Sequence, residues 1–230
     1  MLKKSRIKVD VVSDVVCPWC YIGKRRLEKA MAQLADQYEF DVEYHPFELN
    51  PSMPIEGANQ KMYLTKKFGS AQRYEQITQH VTEVAATEGL RFDFSKQEVA
   101  PNTRAMHAII AFAKTKGKQL ETKEAYLKAY FTDGVDLSNP DNILAIAESV
   151  GLKKEEVRDV VSNPKALEQI AVAENHMQKL GISGVPFYII NNQHGLSGAQ
   201  PTDVFKDVFM QLTTEIETTS AACDIEQKDC

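Results

Sequence analysis

Residues 7–38 read IKVDVVSDVVCPWCYIGKRRLEKAMAQLADQY and contain the most informative pattern in the chain. At the start of this stretch Ile7, Val9 and Val11 alternate with charged residues, which predicts a short and mostly buried strand. Beyond the cysteines, apolar residues recur at helical spacing and predict an amphipathic helix. The stretch therefore predicts a strand that turns into a helix, with Cys17-Pro18-Trp19-Cys20 at the junction.

This four-residue motif has the features of a redox site. A helix N-terminus offers unpaired amide groups and the positive end of the helix dipole, so we expect the thiolate of Cys17 to gain most there. Cys20 lies one turn deeper on the same face. Pro18 suits the first turn because it has no N–H to lose and its φ is already set. Lowering a thiol pKa to ~6 makes it about 90% thiolate at neutral pH, so such a pair is reactive.

A Cys-x-x-Cys motif also occurs as half of a structural zinc site, and Cys223 and Cys230 are candidates for the other half. Zinc motifs of this kind usually lie in turns, and the two cysteine pairs here are almost the whole chain apart. A chance motif without chemistry is a further alternative. The strand–helix context favours redox chemistry, and we expect no metal at this site.

The composition is that of an ordinary soluble protein and excludes several classes of function. Of the 230 residues, 43% are hydrophobic and 26% charged, and the net charge of −5 argues against nucleic acid as a partner. No stretch approaches the ~20 apolar residues of a membrane span, so we expect no membrane association. The basic N-terminus is similar to the start of a signal peptide, but Asp10 and Asp14 interrupt any apolar core. We expect a cytoplasmic protein, whose four cysteines are too few for a disulfide scaffold.

After the first predicted helix, Phe40, Val42 and Tyr44 alternate with acidic residues and predict a second strand. Because a helix connects the two strands, the unit is a βαβ crossover with parallel strands. His45, near the end of the second strand, is interpreted as a polar strand-end residue rather than a ligand.

Residues 57–180 have a helical pattern almost throughout and predict an inserted helical bundle. Several of the helices are preceded by good N-cap residues, namely Asn102, Asn139 and Asn163. The histidines in this region lack the mutual spacing of metal ligands, and we interpret them as solvated or capping residues; they are His80, His107 and His176.

Strand character returns at residues 187–190. Asn191-Asn192 can adopt the positive φ of a tight hairpin turn, so residues 193–197 are predicted to form the partner strand. Gly198 leads into a last amphipathic helix, and the polar sequence beyond about residue 217 is interpreted as a tail.

Five groups of residues, spread along the chain nearly to residue 209, together identify a family. They are Ser13-Asp14 before Cys17-Pro18-Trp19-Cys20; Phe47-Glu48-Leu49-Asn50-Pro51; Asn102-Thr103 with His107; Gly184-Val185-Pro186-Phe187; and Gly195-Leu196-Ser197-Gly198-Ala199-Gln200. In combination they resemble the DsbA family of thioredoxin-fold oxidoreductases. Within it the chain is most similar to the FrnE-like branch, which is related to 2-hydroxychromene-2-carboxylate isomerases.

The resemblance implies an α/β protein with a thioredoxin-like fold and a large inserted α-helical domain. Residues 1–56 and 181–217 would form a discontinuous thioredoxin-like domain. Residues 57–180 would form the helical insertion, whose last helix, at about 164–180, leads back to the thioredoxin-like part. Residues 218–230 would form a cysteine-bearing C-terminal tail.

The resemblance also implies roles for residues outside the motif. Pro186 would be a cis-proline beside the active-site disulfide, and the backbone of Val185 would hydrogen-bond an extended substrate chain. Asn102 and Thr103 would line the groove above the site. Trp19 would shield the cysteines; it replaces the histidine that DsbA itself has there, so we expect a less oxidising protein.

These observations predict a thiol–disulfide oxidoreductase of the DsbA-like protein disulfide oxidoreductase or isomerase class. Cys17 attacks a substrate disulfide, or is attacked by a thiolate when oxidised, and Cys20 resolves the mixed disulfide. No cofactor is required, and glutathione is the expected small-molecule partner. One rival is a glutathione-dependent isomerase of the same fold, but such relatives typically have serine at the first position. The other rival is a non-catalytic zinc-binding or interaction module.

Cys223 and Cys230 form a candidate second redox pair. They lie in a polar segment in which a short loop closes at little entropic cost, so they can form a disulfide without folding around it. Such a disulfide is easily reduced and is suited to exchange with Cys17. An idle tail, a zinc clip and an oxidation-prone surface pair are the alternatives.

Overall fold

The computed structural model of the chain describes residues 4–212. Its first elements are strand β1 (Ser5–Ser13), helix α1 (Pro18–Gln33) and strand β2 (Tyr38–Pro46). β1 and β2 are parallel, so the βαβ unit predicted from the sequence is present. Within α1, Gly23 lies where the hydroxyl of Tyr188 would meet any larger side chain, which explains a glycine in this helix.

The next segment is largely helical, as predicted. Its elements are β3 (Ala58–Asn59), α2 (Gln60–Phe68), α3 (Ala71–Thr87), β4 (Val99–Ala100), α4 (Arg104–Thr115), α5 (Gln119–Lys128), α6 (Pro140–Ser149), α7 (Lys154–Ser162) and α8 (Pro164–Lys179). β3 and β4 form a two-stranded antiparallel sheet that the sequence pattern does not predict, because two residues show no alternation.

Side chains cap the helices at most of the predicted positions. Asn139 and Asn163 each accept a hydrogen bond from a backbone amide of the helix that follows. The sequence also predicts Asn102 as the N-cap of α4, but Thr103 occupies that position. The Asn102 side chain still accepts a hydrogen bond from the Arg104 amide at 3.0 Å, so it caps the helix from one residue earlier.

The remaining elements complete the main sheet. They are strands β5 (Phe187–Ile190) and β6 (His194–Ser197), followed by helix α9, which spans residues 202–212 of the described chain. The strand order is β2-β1-β5-β6, with β5 antiparallel to both of its neighbours. Asn191 and Asn192 have φ values of 50° and 57°, so the hairpin turn predicted from this pair is present.

A shared hydrophobic core joins the sheet to the helical segment. Ile7 and Val9 of β1 belong to the same buried cluster as Tyr126 and Leu127 of α5. Helices α4, α5 and α8 also pack against β2. Side chains from the helical segment are therefore brought directly beneath the junction between β1 and α1. Among residues 4–212, the helices are all too short or too polar to cross a membrane.

Candidate active site

Cys17 and Cys20 lie at the start of α1. Cys17 is the N-cap residue with extended backbone (φ −94°, ψ 112°), Pro18 begins the helix, and the Cys20 amide donates a hydrogen bond to the Cys17 carbonyl at 3.0 Å. Both residues are free thiols and both are buried, with exposures of 4% and 2%. The helix places the two thiols on one face, one turn apart.

The segment before β5 packs against the first of these thiols. The Val185–Pro186 peptide bond is cis, as the resemblance implies. The Cys17 thiol lies 3.6 Å from the carbonyl oxygen of Val185 and donates a hydrogen bond to it. A backbone carbonyl group that can accept hydrogen bonds therefore borders the sulfur of Cys17.

A cavity of about 300 Å³ opens beside Cys17. Trp19 is half-buried at its edge, with its ring centroid 6.2 Å from that of His80. Of the two residues predicted to line a groove, Thr103 lines this cavity, whereas the Asn102 amide is tied to the Met53 carbonyl at 2.8 Å. Most of the lining is aromatic or aliphatic and includes Val16, Leu49, Val81, Phe94 and Phe131. The cavity therefore suits an apolar group next to the Cys17 sulfur.

Close to the cysteines lies a buried carboxylate in contact with a histidine. The Asp14 carboxylate is fully buried, lies 3.2 Å from Nε2 of His107 and accepts hydrogen bonds from the amides of Val15 and Leu49. Burial raises the pKa of Asp14, but the hydrogen bond and charge of His107 outweigh this and lower it. The interpretation of His107 as solvated or capping is therefore wrong, because the inner face of α4 buries it against Asp14.

A buried lysine lies on the other side of this group. Lys123 of α5 is 1% exposed; its Nζ lies 3.4 Å from the Ser13 carbonyl and 5.6 Å from the centroid of the Tyr44 ring. Burial lowers the pKa of Lys123 to about 8, against the opposing charges of Cys20 and Asp14. Sequence reasoning missed Lys123, because its neighbours Glu121, Thr122 and Glu124 give no sign of a buried face.

The two buried thiols are coupled, so the ionisation of each one depends on the other. The pKa of Cys17 is raised well above the ordinary value by its hydrogen bond to Cys20 and by burial. Burial also raises the pKa of Cys20, but the hydrogen bond from Cys17, the charge of Lys123 and a hydrogen bond from Ser13 together lower it. The two thiols share one hydrogen bond, so the first ionisation belongs to the pair and not to either cysteine alone.

One further cluster has the residue types of a metal site. Ligand atoms of Asp10, Glu43 and His45 lie within 4.8 Å of one another. His45 Nε2 is 2.7 Å from Asp10, and Lys8 lies 3.0 Å from the same carboxylate, while Lys114 pairs with Glu43. The two lysines supply the positive charge that the carboxylates require, so an ion-pair network at the sheet explains the cluster. The candidate pair Cys223 and Cys230 lies outside the described residues.

The chain is similar to known proteins over nearly all of its length. It is 30% identical to a probable DsbA oxidoreductase from Streptomyces coelicolor, with a TM-score of 0.84 and 91% of each chain covered. It is 27% identical over 207 residues to the uncharacterized protein YwbO of Bacillus subtilis, covering 87% of this chain and 94% of that protein. A cytosolic disulfide reductase from Pseudomonas aeruginosa, DsbM with GSH, shares the fold at 18% identity, with a TM-score of 0.65 and coverage of 90% and 99%.

These similarities agree with the architecture described above and confirm the thioredoxin-like fold predicted from the sequence. Residues 8–210, which include both cysteines of the motif and the cis-proline, match the DSBA-like thioredoxin domain. The chain therefore belongs to the family of DSBA-like thioredoxin domains and is a DsbA-like oxidoreductase.

Proposed function

We propose that Cys17 and Cys20 are the residues through which this oxidoreductase exchanges disulfides. The proposal is carried by the placement of the two thiols: Cys17 borders the cavity and the Val185 carbonyl, whereas Cys20 lies behind it. A substrate sulfur entering the cavity reaches Cys17 first. Cys20 is then in position to break the mixed disulfide at Cys17.

In the reducing direction, the Cys17 sulfur attacks one sulfur of the substrate disulfide and the other leaves as a thiolate. Cys20 then attacks Cys17; the Cys17–Cys20 bond forms, the bond to the substrate breaks, and the substrate leaves as a second thiolate. Both electrons come from the dithiol, and the substrate thiolates take up two protons. The oxidising direction is the reverse of these steps.

Substrate preference follows from the walls of the cavity. An apolar cavity of about 300 Å³ favours substrates with an aromatic or aliphatic group next to the reacting sulfur, whether in a small molecule or in a protein side chain. Trp19 and Thr103 contribute to this wall, and Val185 supplies the adjoining backbone. Protein disulfide isomerase activity and oxidase activity on proteins are both compatible with such a site.

Glutathione is the proposed redox partner, and the cytoplasm the proposed compartment. The cytosolic DsbM of Pseudomonas aeruginosa, whose structure contains GSH, shares this fold. Because Trp19 stands where DsbA has histidine, we expect a potential between about −270 and −120 mV, the values of thioredoxin and DsbA. Titration against glutathione buffers measures it.

The glutathione-dependent isomerase of the same fold is the second candidate, and an apolar cavity of about 300 Å³, which can hold a small substrate, favours it. Cys20, buried one turn behind Cys17, has no part in such a reaction. Retention of both thiols therefore favours disulfide exchange.

Two serine variants test the proposed function. With oxidised glutathione, Cys20→Ser should accumulate a mixed disulfide at Cys17, because the resolving sulfur is gone, and mass spectrometry detects the adduct. Cys17→Ser should form no adduct at Cys20 and should lose exchange activity. Cys17→Ser protein that reduces glutathione disulfide at the wild-type rate would refute the proposal.

A further inference from the structure

The mainly apolar wall of the cavity beside Cys17 contains a few buried polar side chains. In the described chain, and apart from Cys17 itself, they are Asp14, Gln60, Thr103 and Tyr130, each at most 4% exposed. Buried polar groups nearly always have a hydrogen-bond partner within the protein. A group in this set that lacks such a partner therefore has hydrogen-bonding capacity to offer a bound molecule.

Three of these side chains are satisfied by other protein groups. Asp14 Oδ1 lies 3.2 Å from His107 Nε2. The Tyr130 hydroxyl donates a hydrogen bond to Gln60 Oε1 at 3.1 Å, and Gln60 Nε2 donates one to Gln97 Oε1 at 3.0 Å. The fold itself explains the presence of these three polar groups at the cavity.

Thr103 is different. It is the N-cap residue of α4, where a threonine hydroxyl normally accepts a hydrogen bond from an amide of the first turn. Its backbone has φ −99° and ψ −2°, and its side chain makes no capping hydrogen bond. Asn102 caps the helix instead, by accepting a hydrogen bond from the Arg104 amide at 3.0 Å. Within residues 4–212, the hydroxyl of Thr103 has no hydrogen-bond partner, so it is left available at the wall of the cavity.

The surroundings of Thr103 indicate which group it would bind. The segment that leads into α4 lines the cavity through Ala100, Pro101 and Thr103, and α4 itself has 12 residues. The N-terminus of a helix carries a partial positive charge, so an oxygen acceptor is favoured there over a donor. The Asp14 carboxylate lines the same cavity and disfavours a second negative charge. A neutral carbonyl oxygen meets both conditions.

We propose that the hydroxyl of Thr103 is a specificity-determining group that donates a hydrogen bond to a neutral carbonyl oxygen of a substrate bound at Cys17. The proposal rests on the function proposed above and narrows its substrate class. The favoured thiol or disulfide has an apolar group that carries a ketone, ester or amide carbonyl. The apolar wall provides contact area, and Thr103 selects the orientation of the bound group.

The test is a competition between two thiols for Cys17 at equilibrium. In a Cys20→Ser, Cys223→Ser, Cys230→Ser protein, Cys17 is the one remaining cysteine. The protein is equilibrated with equal amounts of meta-acetylbenzenethiol and meta-ethylbenzenethiol and with their disulfides, and mass spectrometry measures the ratio of the two adducts. The ethyl compound has CH₂ where the acetyl compound has its carbonyl. The same equilibrium with glutathione in place of the protein corrects for the intrinsic difference between the thiols.

The protein with Thr103 should favour the acetyl adduct. Thr103→Val keeps the shape of the side chain and removes the hydroxyl, so it should lower the corrected ratio about fivefold, the size of one buried hydrogen bond. Thr103→Ser keeps a hydroxyl and should retain the preference. Thr78→Val is the matched control. Thr78 lines the same cavity, but its hydroxyl already donates a hydrogen bond to the Tyr74 carbonyl at 2.9 Å, so the ratio should not change.

Several outcomes would overturn the proposal. Equal corrected amounts of the two adducts in the protein with Thr103 would do so, even if Thr103→Val fails to fold. So would an equal decrease in Thr103→Val and Thr78→Val, or a preference for meta-mercaptobenzoate over the ketone that depends on Thr103. In each of these cases adducts still form at Cys17, and the proposed function stands. If neither thiol forms an adduct, the proposed function fails and this proposal fails with it.

Discussion

Cys17 and Cys20 are separated by two residues in the sequence, yet their sulfur atoms have different surroundings. Cys17 borders a cavity whose walls are mainly aromatic and aliphatic, and its thiol donates a hydrogen bond to the carbonyl of Val185. Cys20 is 2% exposed, and the charge of Lys123 lowers its pKa. We call the cavity at Cys17 the apolar side of the site, and it is open to a substrate. We call the buried surroundings of Cys20, with Asp14, His107 and Lys123, the charged side, and it is closed.

This difference shows how a short motif acquires two distinct thiols. The helix alone would place both on one face, with the advantage to Cys17 at its end. Side chains outside the helix also act on them: Ser13 at the end of β1, shortly before the helix, and Lys123 from the distant helix α5. The outer cysteine borders the cavity and is suited to meet the substrate, whereas the inner one is suited to break the mixed disulfide.

The largest predicted effect comes from replacing Asp14 on the charged side of the site. Asp14 Oδ1 accepts a hydrogen bond from the Val15 amide and contacts His107 Nε2, and Oδ2 accepts one from the Leu49 amide. Asp14→Asn replaces one of these two oxygens with an NH₂ group. A buried donor then faces another donor, and we expect a loss of about 3 kcal/mol in the free energy of unfolding at pH 7. Urea unfolding measures it.

The pH dependence of this loss has a definite sign. The pKa of Asp14 is lowered in the folded protein, so its ionised form contributes stability that is present above its ordinary pKa of 3.8 and disappears as pH falls through the folded value. The gap between wild type and Asp14→Asn should therefore narrow in acid. Asp36→Asn, at an exposed position, serves as the control. A loss below ~1 kcal/mol at pH 7 would contradict the importance of this network.

The apolar side is tested by filling the cavity. Leu64 of α2 lines it and is half-buried, so Leu64→Trp should occupy the space that an aromatic substrate group would use. An aromatic substrate group that loses ~55 Å² of apolar contact with the cavity binds about 1.4 kcal/mol more weakly. We therefore expect the kcat/KM for reduction of dipyridyl disulfide to fall about tenfold in this variant. Oxidised glutathione, which is polar, should be reduced at nearly the wild-type rate.

A tryptophan elsewhere on the same helix provides the control. Met62 is 74% exposed and does not line the cavity, so Met62→Trp should affect neither substrate. An equal decrease for both disulfides in Leu64→Trp would indicate general damage to the fold and not loss of an apolar subsite.

The sequence predicts the open side of the site better than the closed side. The βαβ unit, the cysteine motif and the hairpin turn at Asn191-Asn192 are local patterns, and each is present. The cis bond before Pro186 follows from the family resemblance and is present as well. These features depend on residues that are close together in the chain or on motifs of the family.

The closed side depends on contacts between distant segments. Lys123 lies in a helix that also buries Gln119 and Thr122, so its inward face has no apolar stripe for a pattern to detect. His107 looks like a helix-surface residue until α4 packs over Asp14. The ionisation of the thiol pair is likewise beyond a sequence pattern, because it depends on Lys123 as well as on the helix.

A second buried carboxyl group, that of Glu174, has a pKa that is shifted in the direction opposite to that of Asp14. Glu174 of α8 accepts a hydrogen bond from the amide of Glu48, and the Glu48 side chain is held by Arg104 at 2.8 Å. Among the described residues, the Glu48 Oε2 atom is buried without a hydrogen-bond partner. Burial and the neighbouring charge of Glu48 raise the pKa of Glu174 to about 7. Asp14 faces a histidine and has a lowered pKa, whereas Glu174 faces a carboxylate.

The smallest predicted effect therefore concerns Glu174→Gln. In the unfolded chain Glu174 ionises near its ordinary pKa of 4.5, whereas the folded protein keeps the proton to about pH 7. Between these values the unfolded state binds fewer protons, so wild-type stability falls as pH rises. Glutamine keeps the acceptor for the Glu48 amide and never ionises. Relative to wild type, the variant should gain about 1 kcal/mol of stability between pH 5 and pH 6, and more as pH rises to 8. Glu168→Gln, exposed on the same helix, should show no such dependence. Equal stability of Glu174→Gln and wild type at pH 8 would mean that the carboxyl pair has no raised pKa. Glu174 and Asp14 would then be two buried carboxyl groups without opposite pKa shifts.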